Sequence, residues 1–204
     1  MESSKEETID TNLYSRQIGT YGMETMGKLI KMKVLIVGMR GLGVEIAKNL
    51  ILAGPGAVDI LDTSPVEVRD LSANFYTTEK HVGNETRGNA CIEKLKELNG
   101  YVKVNAVTGP VDEAFLKQYS VVVVTELIAP LSDIKKWDAF CHENGIGFIL
   151  TQNLGALGYT FLDYGKEFTV FDEDGENTRS FIILNITNDA KPLVTVHEDK
   201  RHTF

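Results

Sequence analysis

The run Lys33-Val34-Leu35-Ile36-Val37, followed at once by Gly38-Met39-Arg40-Gly41-Leu42-Gly43, most narrows what this chain can become. A short apolar run of this kind reads as a strand buried on both faces, and glycines directly after it demand a tight turn. Val44 to Ala53 holds good helix formers and no proline, and Gly54-Pro55-Gly56 stops it. Ala57-Val58-Asp59-Ile60-Leu61 then forms a second strand ending in Asp62. Parallel strands joined by a helix require a right-handed crossover, so the predicted class is α/β: a Rossmann-like, doubly wound, mostly parallel sheet.

The pattern continues along most of the chain. From Gly22 to Met32, Met23, Met26, Leu29 and Ile30 recur at helical spacing and predict a helix feeding the first strand. A helix over 85–98, strands over 102–107 and 120–125, a helix over 132–144 and a strand over 146–150 follow. Beyond Gly155 alternation with helices ceases. Strands are predicted over 158–164, 167–171 and 179–186, with the acidic run 172–177 as a hairpin turn, giving an antiparallel C-terminal extension. Residues 1–12 read as a flexible tail and 13–190 as one body. Residues 191–204 begin like another strand without a capping feature, and read as the start of a connection within a longer chain.

Composition excludes several function classes. The 204 residues carry a net charge of −8, and no stretch gathers enough Lys or Arg to make a basic face, which argues against nucleic acid as a partner. The longest apolar runs, such as Val121 to Val124, are too short to cross a bilayer, and the first residues lack the order of a signal peptide. Cys91 and Cys141 are too few for a disulfide framework or a four-cysteine zinc site, and no His or Cys spacing suggests a metal centre.

Nucleotide sites at the end of a first strand use glycine at the first, third and sixth positions, for the turn, for phosphate approach and for helix packing. Here Gly38 and Gly43 hold the first and sixth, but Arg40 stands third, with Gly41 beside it. A guanidinium at a helix N-terminus can bind an anion itself, or it can form a local salt bridge. Asp62 falls about twenty residues beyond the last glycine, where an acid can hold ribose hydroxyls, although a turn aspartate would look the same. Gly38, Arg40, Gly41, Gly43 and Asp62 together read as a vestigial nucleotide site.

Tyr14-Ser15-Arg16-Gln17 and the segment from Val34 to Leu50 resemble the start of ubiquitin-activating enzymes. Asp70 to Tyr76, Leu98-Asn99, Thr108-Gly109-Pro110, Phe140-Cys141-His142 and Asp163-Tyr164-Gly165 extend the resemblance from about Leu13 to the C-terminus. It implies the inactive adenylation domain of a long enzyme that uses ATP and Mg²⁺ to adenylate the ubiquitin C-terminus before a cysteine elsewhere takes it as a thioester. No cofactor is implied for this fragment. Implied partners are the active adenylation half, ubiquitin and ubiquitin-conjugating enzymes, in cytoplasm and nucleus. Without its twin the fragment is expected to homodimerise through an exposed apolar surface.

Active members of such enzymes hold triphosphate and metal with a second acid, an arginine, a lysine and an aspartate. At those places this chain has Ser64, Ala73, Thr86 or Glu85, and Thr125-Glu126, with Glu126 an imperfect replacement. One donor of this kind is commonly worth about 3 kcal/mol in the transition state, so losing several implies no independent catalysis. The resemblance also implies that Arg16 reaches the ATP of the neighbouring half in trans.

Other candidates have plainer readings. Cys141 shares an apolar face with Ile134 and Trp137 and reads as a buried thiol, not as a nucleophile with His142, and Cys91 reads the same way. His142 suits a helix C-terminus, and His81, His197 and His202 read as surface residues. The acidic run from Asp172 lacks a calcium loop's twelfth-position acid, which would be Ile183. Two other functions stay open: the small subunit of a ubiquitin-like-protein activator, and an NAD-dependent oxidoreductase using Gly38 and Asp62.

Overall fold

The computed structural model describes residues 9–170, 181–187 and 194–198. They fall in two units divided after Phe168.

In the first unit, β1 (Lys33–Val37), β2 (Ala57–Leu61), β3 (Lys103–Ala106), β4 (Val121–Val124), β5 (Gly147–Leu154) and β6 (Leu157–Asp163) form one sheet in the order β3-β2-β1-β4-β5-β6. All neighbours are parallel except β5 and β6. This is the doubly wound order, in which the connections reverse direction between β1 and β4. Helix α1 (Ser15–Leu29) leads into β1, and α2 (Gly41–Ala53), α3 (Arg87–Lys96), α4 (Glu113–Leu116) and α5 (Leu131–Asn144) link the parallel strands.

Side chains along β1 alternate between two cores. Val34 and Ile36 pack with Val44, Ala47 and Ile51 of α2 and with Cys91 and Leu95 of α3. Leu35 and Val37 pack with Leu116, Ile134, Cys141 and Phe148 on the other face. A strand covered on both sides must be apolar at every position, which is why β1 and β4 read as unbroken runs.

Two expectations need correction. The first helix begins at Ser15, not Gly22, and Gly22 lies within it at φ 80°, ψ 159°, a break that only glycine accommodates readily. Residues 167–170 form no strand. Asp10, inside the expected tail, accepts hydrogen bonds from the Asn12 and Leu13 amides and from the Tyr101 hydroxyl at 2.7 Å. Elsewhere the predicted elements appear with shifted ends, and β5 runs on to Leu154 to pair with β6 in antiparallel register.

The second unit contains β7 (Phe181–Ile186), antiparallel to β8 (Val194–Glu198), with a register shift between Ile183 and Asn185. The acidic run 172–177 and His202 lie outside the described residues, as does the side chain of His197. No described helix is long and apolar enough to cross a membrane.

Candidate functional site

In an open α/β sheet, ligands bind beyond the carboxyl ends of the strands where the order reverses. Here that crevice lies beyond β1 and β4, where Gly38 and Thr125-Glu126 meet. Gly38 has φ 96°, and a Cβ on it would stand 2.7 Å from the Glu126 Cβ. A Cβ on Gly43 would stand 2.1 Å from the Gly38 carbonyl oxygen, so this glycine sets how closely α2 packs on the turn. Thr125 clamps the arrangement, its hydroxyl donating to the carbonyls of Val37 at 3.1 Å and Gly38 at 2.8 Å.

The phosphate approach is covered by the segment that follows Asp70. A Cβ on Gly41 would lie 2.9 Å from the Ala73 Cβ, so Ala73, at the place where the resemblance expects an arginine, sits directly on the start of α2. Asn74 holds that segment down by donating to the Met39 carbonyl at 3.0 Å, while its own carbonyl accepts from the Tyr76 amide.

Asp62 is buried, and its carboxylate is full. Oδ2 accepts from the Met39 amide at 2.8 Å and from Arg87 Nε at 2.9 Å; Oδ1 accepts from the Ser64 amide at 3.0 Å and from Arg87 Nη2 at 3.4 Å. A carboxylate offers about four lone-pair sites, so none remains for a ribose hydroxyl. Ser64, standing where a second acid is expected, contributes its backbone amide.

Arg87 was not among the residues that sequence reasoning singled out. Its side chain is 2% exposed, although it opens α3 directly after the N-cap Thr86. Besides Asp62 it faces Asp70 Oδ1 at 3.7 Å and Glu126 Oε2 at 3.3 Å. Burial opposes its charge, but the carboxylates of Asp62, Glu126 and Asp70 outweigh burial and raise its pKa above the ordinary value. The available signal was an arginine at the first turn of a helix, close to the expected lysine position. Arg40 forms the local salt bridge that was one of its two readings, with Nε 3.0 Å from Glu126 Oε1.

Arg16 lies elsewhere. Tyr14 packs under Gly54, Asn99 donates to the Tyr14 hydroxyl at 2.9 Å, and Gln17 donates to the Ala53 carbonyl, so this stretch is fixed at the C-terminal end of α2. With 13 residues, α2 separates its two ends by about 20 Å. Arg16 is exposed, away from this chain's own glycine turn.

Cys91 and Cys141 are buried and free, and burial pushes their thiols up to about 11 and about 12. His142 carries a partner that its helix position did not suggest: both Asp163 oxygens lie 3.0 Å from its Nδ1. His81 is tied into a short turn, its Nδ1 accepting from the Thr78 amide. Among the described residues, no cluster of three or more His, Cys, Asp or Glu side chains could hold a metal ion.

Comparison with known proteins places this geometry. A ubiquitin-like modifier-activating enzyme 1 of Dictyostelium discoideum is 40% identical over 201 residues, covering 98% of this chain. A ubiquitin-activating enzyme E1 1 of Triticum aestivum is 43% identical over 198 residues, covering 96%. The chain spans 20% and 19% of those two proteins, about a fifth of the curated relatives it matches. Among solved structures, E. coli MccB with MccA-N7isoASN shares the fold at a TM-score of 0.65 and 20% identity, over 76% of this chain and 48% of that one. The E. coli tRNA N6-threonylcarbamoyladenosine dehydratase TcdA does so at 0.57 and 21%, over 69% and 59%. The ThiF family model matches residues 14–188. With the doubly wound order and the glycine turn beneath Asp62, that match places the chain in the ThiF family.

Proposed function

We propose that this chain is the catalytically silent adenylation half of a ubiquitin-activating enzyme, packing against an active half and lending Arg16 to the ATP held there. The observation that carries the reading is the saturated Asp62 carboxylate: the acid that would hold a ribose is spent on Met39, Ser64 and Arg87. A magnesium nucleotide does not fit this turn as it stands, with Ala73 on Gly41 and Glu126 on Gly38. An NAD-dependent oxidoreductase would need the same filled carboxylate.

Two further features favour a partner half. Arg16 is anchored at the far end of α2 with its side chain outward, where it can serve only a site outside its own glycine turn. Strand β6 closes one edge of the sheet and exposes Leu157, Tyr159 and Phe161 at alternate positions, beside a cleft of about 200 Å³ lined by Leu131, Ile134, Leu150 and Phe161. Exposed apolar surface of this kind marks an interface. When the twin binds ATP and magnesium, they supply the activated phosphate; this chain's part is to hold Arg16 in place and place its charge beside the phosphoryl groups.

ATP–pyrophosphate exchange with ubiquitin tests both parts. The 204-residue chain alone is expected to catalyse none, and robust exchange would refute the silent reading. In the full-length enzyme, Arg16→Ala is expected to slow exchange by about 10²-fold, the worth of one lost phosphate donor; unchanged kinetics would remove Arg16 from the mechanism.

A further inference from the structure

Arg16 cannot aim itself. Among the described residues its guanidinium has no partner, so the place of its charge is set by the backbone that carries it. That backbone is held at few points. Of the described residues from Asp10 to Thr25 only Tyr14 is buried, and the next buried residue, Met26, lies beyond the helix break at Gly22. The turn bearing Arg16 is therefore not a rigid continuation of the buried half of α1. The Tyr14 carbonyl accepts from the Ile18 amide at 2.8 Å, the bond that opens the helix, so a shift of Tyr14 carries Arg16 with it.

Asn99 holds Tyr14 in turn. It is buried, and both ends of its amide are used: Nδ2 donates to the Tyr14 hydroxyl at 2.9 Å and to the Ile51 carbonyl at 3.0 Å, while Oδ1 accepts from the Tyr101 amide at 3.1 Å. Ile51 belongs to the last turn of α2, so one side chain ties the Arg16 stretch to that helix end. Tyr101 sets its ring edge-on to Tyr14, with centroids 6.4 Å apart, and donates its hydroxyl to Asp10. A buried amide bonded to three segments has one favourable orientation, and the Tyr14 hydroxyl is fixed with it. From Asn99 to Arg16 the path is one hydrogen bond, the Tyr14 ring and two residues of backbone.

We propose that Asn99 is a positioning residue for Arg16: through the Tyr14 hydroxyl it fixes the start of α1, and so the place at which the guanidinium meets the phosphates held by the neighbouring half. Asn99 touches neither nucleotide nor reacting atoms. This role rests on the Arg16 reading above and adds to it the side chain that sets where the charge stands. A misplacement of about 1 Å far from the chemistry can cost as much as about 10²-fold in rate, so one lost hydrogen bond at Tyr14 has a kinetic readout.

ATP–pyrophosphate exchange by the full-length enzyme tests it, with Tyr14→Phe and Asn99→Ala each made alone and on top of Arg16→Ala, and Tyr119→Phe as the control. Tyr14→Phe and Asn99→Ala are expected to slow exchange about tenfold, less than Arg16→Ala itself, and to add no further loss in the Arg16→Ala background. Tyr119→Phe removes the same atom from another buried hydrogen bond, to Asp59 at 3.0 Å, and should leave exchange unchanged. Tyr14→Phe keeps the ring and the bond from Asn99 to Ile51, so it carries the test if Asn99→Ala does not fold by circular dichroism. Wild-type exchange in either folded variant, an undiminished loss on top of Arg16→Ala, or equal slowing by Tyr14→Phe and Tyr119→Phe would overturn the positioning role while a slow Arg16→Ala enzyme still supports the Arg16 reading. Unchanged exchange in Arg16→Ala would remove Arg16 and Asn99 together.

Discussion

Strand β2 and the turn after it carry two buried aspartates, three residues apart, that are treated very differently. Asp59 is 2% exposed and fully matched: Oδ1 accepts from Asn105 at 2.9 Å, while Oδ2 takes the Tyr119 hydroxyl at 3.0 Å and Lys33 Nζ at 2.9 Å. Lys33 also lies 4.7 Å above the Tyr119 ring. The partners come from β1, β3 and the turn after α4, so one carboxylate ties three neighbouring parts of the sheet into register. Around Asp62, by contrast, the three carboxylates of Asp62, Asp70 and Glu126 outnumber the two guanidinium groups of Arg87 and Arg40, and Arg87 is shared among all three acids. A cluster kept for stability is complete in itself. The upper cluster holds one acid more than it has guanidinium groups, so its stability hangs on the single buried arginine that faces all three.

The sharpest way to break this contrast is Arg87→Met. It leaves Asp62 and Asp70 buried without their counter-ion, and breaking such a pair commonly costs about 3–5 kcal/mol. Urea unfolding should show a loss of that size, with part of it regained in Arg87→Met/Asp62→Asn. A loss within experimental error would mean that the upper cluster is no more strained than a surface pair.

Asp59→Ala should cost less, about 2–3 kcal/mol, because it strands the Asn105 amide and the Tyr119 hydroxyl while Lys33 can turn to water. Tyr119→Phe should cost about 1 kcal/mol by the same measure. Burial and then the Asp59 charge hold the Tyr119 phenol well above its ordinary pKa, so spectrophotometric titration should find it un-ionised until the chain unfolds in base. If Asp59→Ala proves as damaging as Arg87→Met, completeness is not what separates the two clusters.

The smallest effect is also the most local. Cys91 donates no proton readily, its thiol raised to about 11 by burial and by the charges of Asp62 and Asp70 despite a contact from Asn74. Cys141, raised to about 12 by burial, belongs to the opposite face of the sheet. Both should resist iodoacetamide at mildly alkaline pH in the wild type. Arg87→Met should make Cys91 alone reactive, as read by mass spectrometry, whereas Tyr119→Phe should expose neither. Equal labelling of both thiols in Arg87→Met would mean global loosening instead of an opening at the upper cluster.

What the sequence revealed follows the physics of burial. Strands β1 and β4 were legible because a strand covered on both faces is mostly apolar, β2 despite its buried Asp59, and the glycines after β1 because a side chain at Gly38 or Gly43 would collide. The start of α1 was not legible, since Ser15, Arg16 and Tyr21 face solvent and supply no apolar period, and Gly22 breaks the helix inside a pattern that resumes beyond it. Asp62 announced itself by position, but the state of its carboxylate depends on Arg87, 25 residues away, which in turn meets Glu126, 39 residues farther along. Nothing local distinguishes an arginine that opens a helix outward from one folded under it; three distant acids decide.

Gly54 carries a consequence for anyone mapping harmful substitutions in a longer protein that contains this sequence. It sits at φ 90° with the Tyr14 hydroxyl 2.6 Å from where a Cβ would be, so even alanine there would push the tyrosine ring off its seat and shift the neighbouring Arg16. If the proposed role of Arg16 holds, an activity screen would flag this small, chemically mute position about 20 Å from the chain's own glycine turn. The same substitution should also lower the thermal midpoint, because it strains a left-handed turn and displaces the buried Tyr14 hydroxyl from Asn99.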